Sequence, residues 1–365
     1  MKSPILAFGL KGKWVMFSRT QASGEAAPRQ SPPALTEALL DVRDLYVEYL
    51  TPRGPAQAVD GVSFSIAPGE VFGLAGESGS GKSTIAHAIM RVLRPPAVIT
   101  GGQVLLKGDD VLKMSDEQLE AFRWRDVSMV FQSAMNSLNP VMRVGDQIAD
   151  VLVTHLKLSW PKAYERAAEL LNVVNIDRQR VRAYPHELSG GMRQRVVIAI
   201  ALALHAPLLI MDEPTTALDV VVQKDIMKQI GDLKRQLGFS TLFITHDLSL
   251  MVEFSDRIGI MYAGQIVEMA GAKEILNNPL HPYTQGLLRS FPALHGAKRK
   301  LTGIAGAPPN LTEPPSGCLF HPRCTVCNPI ESQVQPKLKE ILPGHWVAWH
   351  EGMPVPGRPG SEKPA

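Results

Sequence analysis

The stretch Gly76-Glu77-Ser78-Gly79-Ser80-Gly81-Lys82-Ser83-Thr84 decides the fold. Four residues separate Gly76 from Gly81, and Lys82 and Ser83 follow directly, which fills every position of the pattern G-x-x-x-x-G-K-[ST]. Glycine-rich backbone at 76–81 can turn tightly and aim its amides at a polyphosphate, and a helix opening at its end adds a positive pole. Lys82 supplies a point charge for β- and γ-phosphates, and the Ser83 hydroxyl is placed to ligate Mg²⁺. The flanks support this reading. "VFGLAG" before the loop is short and apolar, as a buried strand is, and "STIAHAIMRVL" after it has helical periodicity.

Working outward, two more apolar strands are predicted, "LLIMDEP" (Leu208–Pro214) and "STLFITHD" (Ser240–Asp247). Between them "LDVVVQKDIMKQIGDLKRQLG" reads as an amphipathic helix closed by Gly238. Alternating strands and helices of this kind give an α/β core. "LLDVRDLYVEYL" (Leu39–Leu50) alternates as a strand, "TPRGPAQ" as a turn-rich loop, and "AVDGVSFSIAPGEVFGLAG" as two strands broken by Pro68-Gly69. "GGQVLLKGDDVL" reads as a strand pair, and "RIGIMYAGQIVEMA" as a hairpin turning at Ala263-Gly264. From about Asp146 to Arg182 the pattern is mostly helical, with Ala167, Leu170, Leu171 and Val174 on one face.

Asp212, ending an apolar strand, is placed to serve the metal, and Glu213 beside it to polarise an attacking water. "LSGGMRQR" (Leu188–Arg195) opens a helix with Ser189 as cap and Gly190 and Gly191 behind it, a second anion-binding element in the same chain.

These features, in this order, resemble the ATP-binding-cassette (ABC) family, whose signature sequence "LSGGMRQR" is similar to. The resemblance covers about Leu39 to Gly271. It implies a phosphate-loop NTPase core of α/β class carrying an antiparallel β subdomain and a helical subdomain (about 133–190), within a nucleotide-binding domain of about 39–277. It implies two cassettes paired head to tail, with ATP between the glycine loop of one and the signature of the other. Gln132 in "VFQS" resembles the Q-loop residue that touches Mg²⁺ and senses the membrane partner. Asp219 in "TTALD" resembles the D-loop residue that crosses the dimer interface. His246 in "ITHD" looks like the switch histidine that contacts the γ-phosphate. Tyr49 matches the aromatic that stacks on adenine, with Tyr46 as the competing residue. By this resemblance Gly76 to Thr84, Tyr49, Gln132, Ser189, Gly190, Gly191 and Asp219 contact ATP or its metal, and Lys82, Glu213 and His246 carry catalysis.

Beyond about Asn278 proline becomes frequent and the helical pattern thins. This C-terminal extension (278–365) resembles that of oligopeptide and dipeptide importer ATPases, through "HPYTQGLL" (His281–Leu288) and "PPSGCLFHPRC" (Pro314–Cys324). Importers of nickel and glutathione share it. The resemblance implies two transmembrane permease subunits, a second cassette (paralogue or self), an extracytoplasmic solute-binding protein met indirectly, and a place on the cytoplasmic face of the inner membrane. A soluble ABC ATPase outside transport is the remaining alternative, without the long coiled coil or second cassette of the repair and translation members.

The three cysteines are Cys318, Cys324 and Cys327, and their number and absence elsewhere fit a reducing compartment. In the subset the tail resembles, four cysteines can hold a [4Fe–4S] cluster. Cys318 and Cys324 match its first two ligands, Cys327 comes sooner than the third, and Trp349 stands where the last cysteine would be. Three thiolates leave such a cluster one ligand short, with His321, His345 and His350 as nearby imidazoles. The group C-x₅-C-x₂-C also suits zinc, and a metal-free segment is the third alternative.

Gross composition bounds the rest. A net charge of +3 over 365 residues gives no support for a nucleic-acid partner. No apolar run reaches the roughly 18 residues of a membrane helix. The first 38 residues, rich in Ala, Ser and Pro after a short apolar patch, read as a loose, disordered leader.

Overall fold

The computed structural model describes residues 6–8, 14–16, 38–132, 137–216, 218–290, 303–327 and 329–349. The chain divides into a unit of Met1–Gln30 and one of Ser31–Ala365. In the first, β1 (Leu6–Phe8) pairs antiparallel with β2 (Trp14–Met16), Leu6 opposite Met16. The rest of the leader, up to residue 37, lies outside the described residues.

The second unit opens with β3 (Leu40–Thr51) and β4 (Gly54–Ile66), an antiparallel pair. The stretch "TPRGPAQ", expected as a loop, is the tip of this hairpin. Thr51 Oγ1 donates to Gly54 O at 2.7 Å and closes the turn, so the strands run through it. Pro55 is tolerated there because β4 is an edge strand and loses no ladder bond. After β5 (Val71–Ala75), α1 (Lys82–Ile89), β6 (Ala97–Leu106) and β7 (Asp109–Asp110), the small sheet is complete in the order β4-β3-β6-β7. The predicted strand pair at Gly101–Leu112 is thus the junction of β6 with β7.

Then follow α2 (Asp116–Phe122), β8 (Val127–Val130), α3 (Val144–Leu156), α4 (Trp160–Val173) and α5 (Gly190–Leu202). Ala167, Leu170, Leu171 and Val174 are buried together, as the helical period requires. The chain continues through β9 (Leu208–Asp212), α6 (Val220–Leu237), β10 (Ser240–Ile244), α7 (Leu248–Phe254), β11 (Arg257–Tyr262) and β12 (Gln265–Gly271). Gly238 stops α6 in the left-handed conformation, φ +73°, and Ala263-Gly264 turns β11 into β12 with φ +47° and +85°.

After α8 (Ala272–Asn277) comes the extension, with α9 (Pro282–Arg289), β13 (Lys337–Leu342) and β14 (His345–Trp349). Expected as a separate appendage, it adds two strands to the main sheet, whose order is β13-β14-β12-β11-β5-β10-β9-β8. From β11 to β8 the strands are parallel; β12, β14 and β13 are antiparallel. One apolar core lies between the two sheets, and a second gathers the helices on the opposite face. Strands β5, β9 and β10 are buried along their whole length, which explains their continuous apolar runs.

The extension is tied to the sheet by a carboxylate. Glu268 on β12, fully buried, accepts from Leu280 N (2.7 Å), His281 N (3.0 Å) and His345 Nε2 (2.7 Å). One side chain thereby holds both the start of the extension and its strand β14. Tyr262 of the core packs against Tyr283 and Phe320 of the extension, tilted to the first and edge-to-face with the second, centroids 4.7 and 5.2 Å away.

Candidate active site

The site lies at the carboxyl ends of β5, β9 and β10, where an open α/β sheet leaves a crevice. The chain leaves β5 through Gly76, φ +151°, where a Cβ would sit 2.2 Å from Met261 O. It enters α1 through Gly81, φ +104°, where a Cβ would sit 2.2 Å from Ala58 O. Only glycine can occupy these two positions without moving backbone. Between them, Ser80 N donates to Glu77 O at 3.2 Å, and the exposed Ser78 and Gly79 form the crest of the loop.

Lys82 is 6 % exposed and folds back over this loop. Its Nζ donates to Gly76 O (2.9 Å), Glu77 O (2.8 Å) and Ser80 Oγ (3.2 Å). Burial lowers its pKa, against the opposing pull of Glu213, Asp212 and Glu77. A desolvated cation bonded only to neutral oxygens suits a polyanion. Ser83 Oγ donates to Asp212 Oδ1 at 3.1 Å, joining the loop to the end of β9. Burial raises the Asp212 pKa, partly offset by the Ser83 bond and by His87 and Lys82. A hydroxyl and a carboxylate side by side are hard oxygen donors of the kind Mg²⁺ takes, so the residues fit the metal as well as the phosphates.

Glu213 follows Asp212 with φ +47°, which swings its carboxylate into the crevice. Gln132 Nε2 and Thr216 Oγ1 each donate to Oε2 at 3.0 Å, and His246 Nδ1 stands 3.3 Å from Oε1. Burial acts to raise its pKa, but the contacts from Thr216, His246 and Gln132 outweigh it and hold Glu213 below the usual carboxylate range. His246 itself is largely exposed, 65 % for the side chain. Gln132 faces Glu213 here, rather than the Ser83–Asp212 pair, and residues 133–136 after it lie outside the described residues. Tyr49 Oη lies 3.5 Å from Thr84 Oγ1, whereas Tyr46 is turned into the small sheet against Gly101.

Ser189, Gly191 and Asp219 stand at two helix starts. Ser189 Oγ accepts from Met192 N at 3.3 Å and caps α5, as the sequence predicts. Asp219 Oδ1 accepts from Val221 N and Val222 N and caps α6. A Cβ on Gly191 would meet Val222 at 2.7 Å, so these two helix starts touch. Among the described residues, no hydrogen bond joins 189–191 to 76–84.

The cysteine segment differs from expectation. The thiols of Cys324 and Cys327 group with the carboxylate of Glu331, their ligand atoms within 4.8 Å of one another, and Cys318 is outside that group. Burial raises the Cys318 pKa and pushes Cys324 up to about 11, with Glu331 adding to both. His345 is engaged by Glu268, His321 Nδ1 lies against Cys318 O at 2.8 Å, and His350 lies outside the described residues. With three cysteines in the chain, and Cys318 apart from the Cys324–Cys327–Glu331 group, this set does not fit a four-thiolate iron–sulfur cluster.

Three residues of the site escape a reading by motif. Thr216 could have been found from its spacing of three after Glu213. Tyr283 and Arg323 meet the phosphate loop at Glu77, from the extension, where no local pattern points.

Comparison with known proteins agrees with this geometry. The profile described as ABC transporter matches residues 59–216. The oligopeptide transport ATP-binding protein OppD of Bacillus subtilis (strain 168) is 45 % identical over 313 residues, 85 % of this chain and 87 % of that protein. This chain belongs to the ABC transporter family. A second profile, described as the C-terminal region of oligopeptide/dipeptide transporters, matches residues 267–330 of this ABC protein. OppD of Escherichia coli (strain K12) is 44 % identical over 310 residues, 84 % of this chain and 91 % of that one. The dipeptide transport ATP-binding protein DppD of Bacillus subtilis is 44 % identical over 291 residues, covering 79 % and 87 %. Among solved structures, the ABC fold matches a dimeric post-hydrolysis state of the ATP-binding cassette MJ0796 bound to ADP and Pi. That match has TM-score 0.58 and 27 % identity, and covers 64 % of this chain and 98 % of that one.

Proposed function

We propose that this chain is the ATP-hydrolysing subunit of an importer for oligopeptides or dipeptides. The observation that carries the proposal is the joining of two things in one unit. A loop with a buried lysine faces an Asp212–Glu213 pair, and a tail matching the peptide-transporter C-terminal region packs onto the same sheet.

The loop amides and Lys82 bind the β- and γ-phosphates. Ser83 and Asp212 would hold Mg²⁺, with Gln132 close by on Glu213, and the ion would neutralise charge on the phosphate oxygens. Tyr49, beside Thr84, stacks on the adenine. Glu213, kept deprotonated, orients water and takes its proton. The water oxygen bonds to the γ-phosphorus as the bond to the β,γ-bridging oxygen breaks, releasing ADP and phosphate. His246, whose Nδ1 stands beside Glu213 Oε1, contacts the γ-phosphate of the bound nucleotide. Electrostatic positioning supplies most of the rate.

Ser189, Gly190, Gly191 and Asp219 serve the nucleotide of a second cassette. The dimer closes with ATP and opens after hydrolysis, driving the permeases between two states. Among the described residues no helix is long and apolar enough to cross a membrane. Attachment to the cytoplasmic face of the inner membrane runs through two transmembrane permease subunits, which receive solute from an extracytoplasmic binding protein.

Reconstitution tests this. Proteoliposomes holding the permeases and partner cassette should hydrolyse ATP faster with a peptide-loaded receptor and accumulate peptide. Stimulation by nickel or glutathione receptors and not by peptide would replace the cargo; hydrolysis indifferent to any permease would remove the transport role.

A further inference from the structure

Glu77 is an anomaly in a loop that grips anions. It is the acidic residue between Gly76 and Lys82, and a carboxylate there opposes the charge of a bound triphosphate. The compensation comes from 246 residues further along the chain. Arg323 Nη1 and Nη2 donate to Glu77 Oε2 and Oε1 at 2.8 and 2.9 Å, a two-pronged pair whose arginine side chain is 5 % exposed. Arg323 Nε donates to Ala305 O at 2.9 Å, and the guanidinium lies over the Tyr262 ring, 5.7 Å from its centroid. Beside it, Tyr283 Oη accepts from Glu77 N at 2.9 Å. The extension therefore holds this loop residue by its backbone and by its charge, while Glu77 O receives Lys82.

We propose that Arg323 is a positioning residue of the nucleotide site, which cancels the charge of Glu77, so that the docked extension sets the affinity for ATP. This rests on the ATPase reading above. It makes the tail part of the site rather than an attachment to it. An extension pulled away from Tyr262 would bare an acid beside the triphosphate and weaken ATP binding. Arg323 touches neither Glu213 nor His246, so its effect falls on binding and not on the chemical step.

The test uses the purified full chain with MgATP, measuring Kd by calorimetry and KM and kcat of hydrolysis. Arg323→Met should raise Kd and KM by about tenfold or more, the scale expected for one uncompensated charge at this range, with kcat within about threefold of the parent. Adding Glu77→Gln to Arg323→Met should restore Kd to within about threefold, since the anion is then gone. A purely structural role predicts no such rescue. Unchanged Kd in Arg323→Met, or a weakened Kd that Glu77→Gln leaves weak, overturns the proposal. If Arg323→Met does not fold, Glu77→Gln alone decides: leaving Arg323 as a free cation near the phosphates should tighten MgATP binding, and equal or weaker binding overturns it. A parent chain that binds no MgATP at all would instead remove the ATPase reading, and this inference with it.

Discussion

Replacing Glu268 with alanine should loosen the extension from the cassette. The carboxylate is fully buried and receives three donors, Leu280 N, His281 N and His345 Nε2, at 2.7–3.0 Å. Truncation leaves each donor buried without a partner, at about 1–3 kcal/mol apiece. Even the low end of that range sums to about 3 kcal/mol, and for a large domain each kcal/mol moves the melting temperature by about 2–4 °C. A fall of at least about 6 °C is therefore expected in a calorimetric melt of the full chain. Because all three donors belong to the extension, Leu280 and His281 at its start and His345 on β14, the loss should be local. Limited proteolysis should cut the extension before the phosphate loop or β5. Glu268→Gln, which keeps one acceptor and adds a donor facing a donor, should fall between. A melt within about 2 °C of the parent, with the extension cut no faster, would refute the clasp.

Other outcomes follow from the site. Glu213→Gln should retain MgATP binding and lose about 10²–10⁴-fold in kcat, with a closed dimer accumulating in size-exclusion chromatography; near-normal turnover would take Glu213 out of the water-activating role. Asp212→Asn should hydrolyse ATP poorly yet melt slightly higher without nucleotide near neutral pH. The folded-state pKa of Asp212 is raised, so its ionised form destabilises the fold; that cost is complete above the folded pKa and absent below the ordinary aspartate value. The gain should vanish as melts are repeated towards acid pH, and a lower melting temperature at neutral pH would contradict the sign. Ser189→Arg should abolish hydrolysis at the partner's nucleotide in an assembled transporter, while leaving nucleotide binding to its own loop intact; an untouched rate would argue against composite pairing.

The legible parts of this molecule are those in which chemistry forces local sequence. Gly76 and Gly81 must lack a Cβ, so the loop is written in its own residues. Strands buried from end to end, such as β5, β9 and β10, show as apolar runs. Ser189 and Gly238 mark helix ends by cap chemistry that acts within three or four residues. What was hidden depends on distant partners. Strands β13 and β14 find a place because β12 offers an edge, which no local pattern reveals. Arg323 sits in "FHPRC", a segment that drew attention to its cysteine, and its partner Glu77 lies 246 residues earlier. Glu268 reads as the polar member of an alternating strand and is fully buried, because three donors from the extension arrive there.

The way the sheet is prolonged past β12 bears on solubility. Without the extension, β12 would present a row of unpaired amides and carbonyls between apolar side chains, Ile266, Val267 and Met269, an open template for pairing with other chains. Strands β14 and β13 move that rim outward to a segment bearing Lys337, Lys339 and Glu340, charges that resist intermolecular zippering. A version of this protein shortened at the end of α8 should accordingly be aggregation-prone, however complete its phosphate-binding loop.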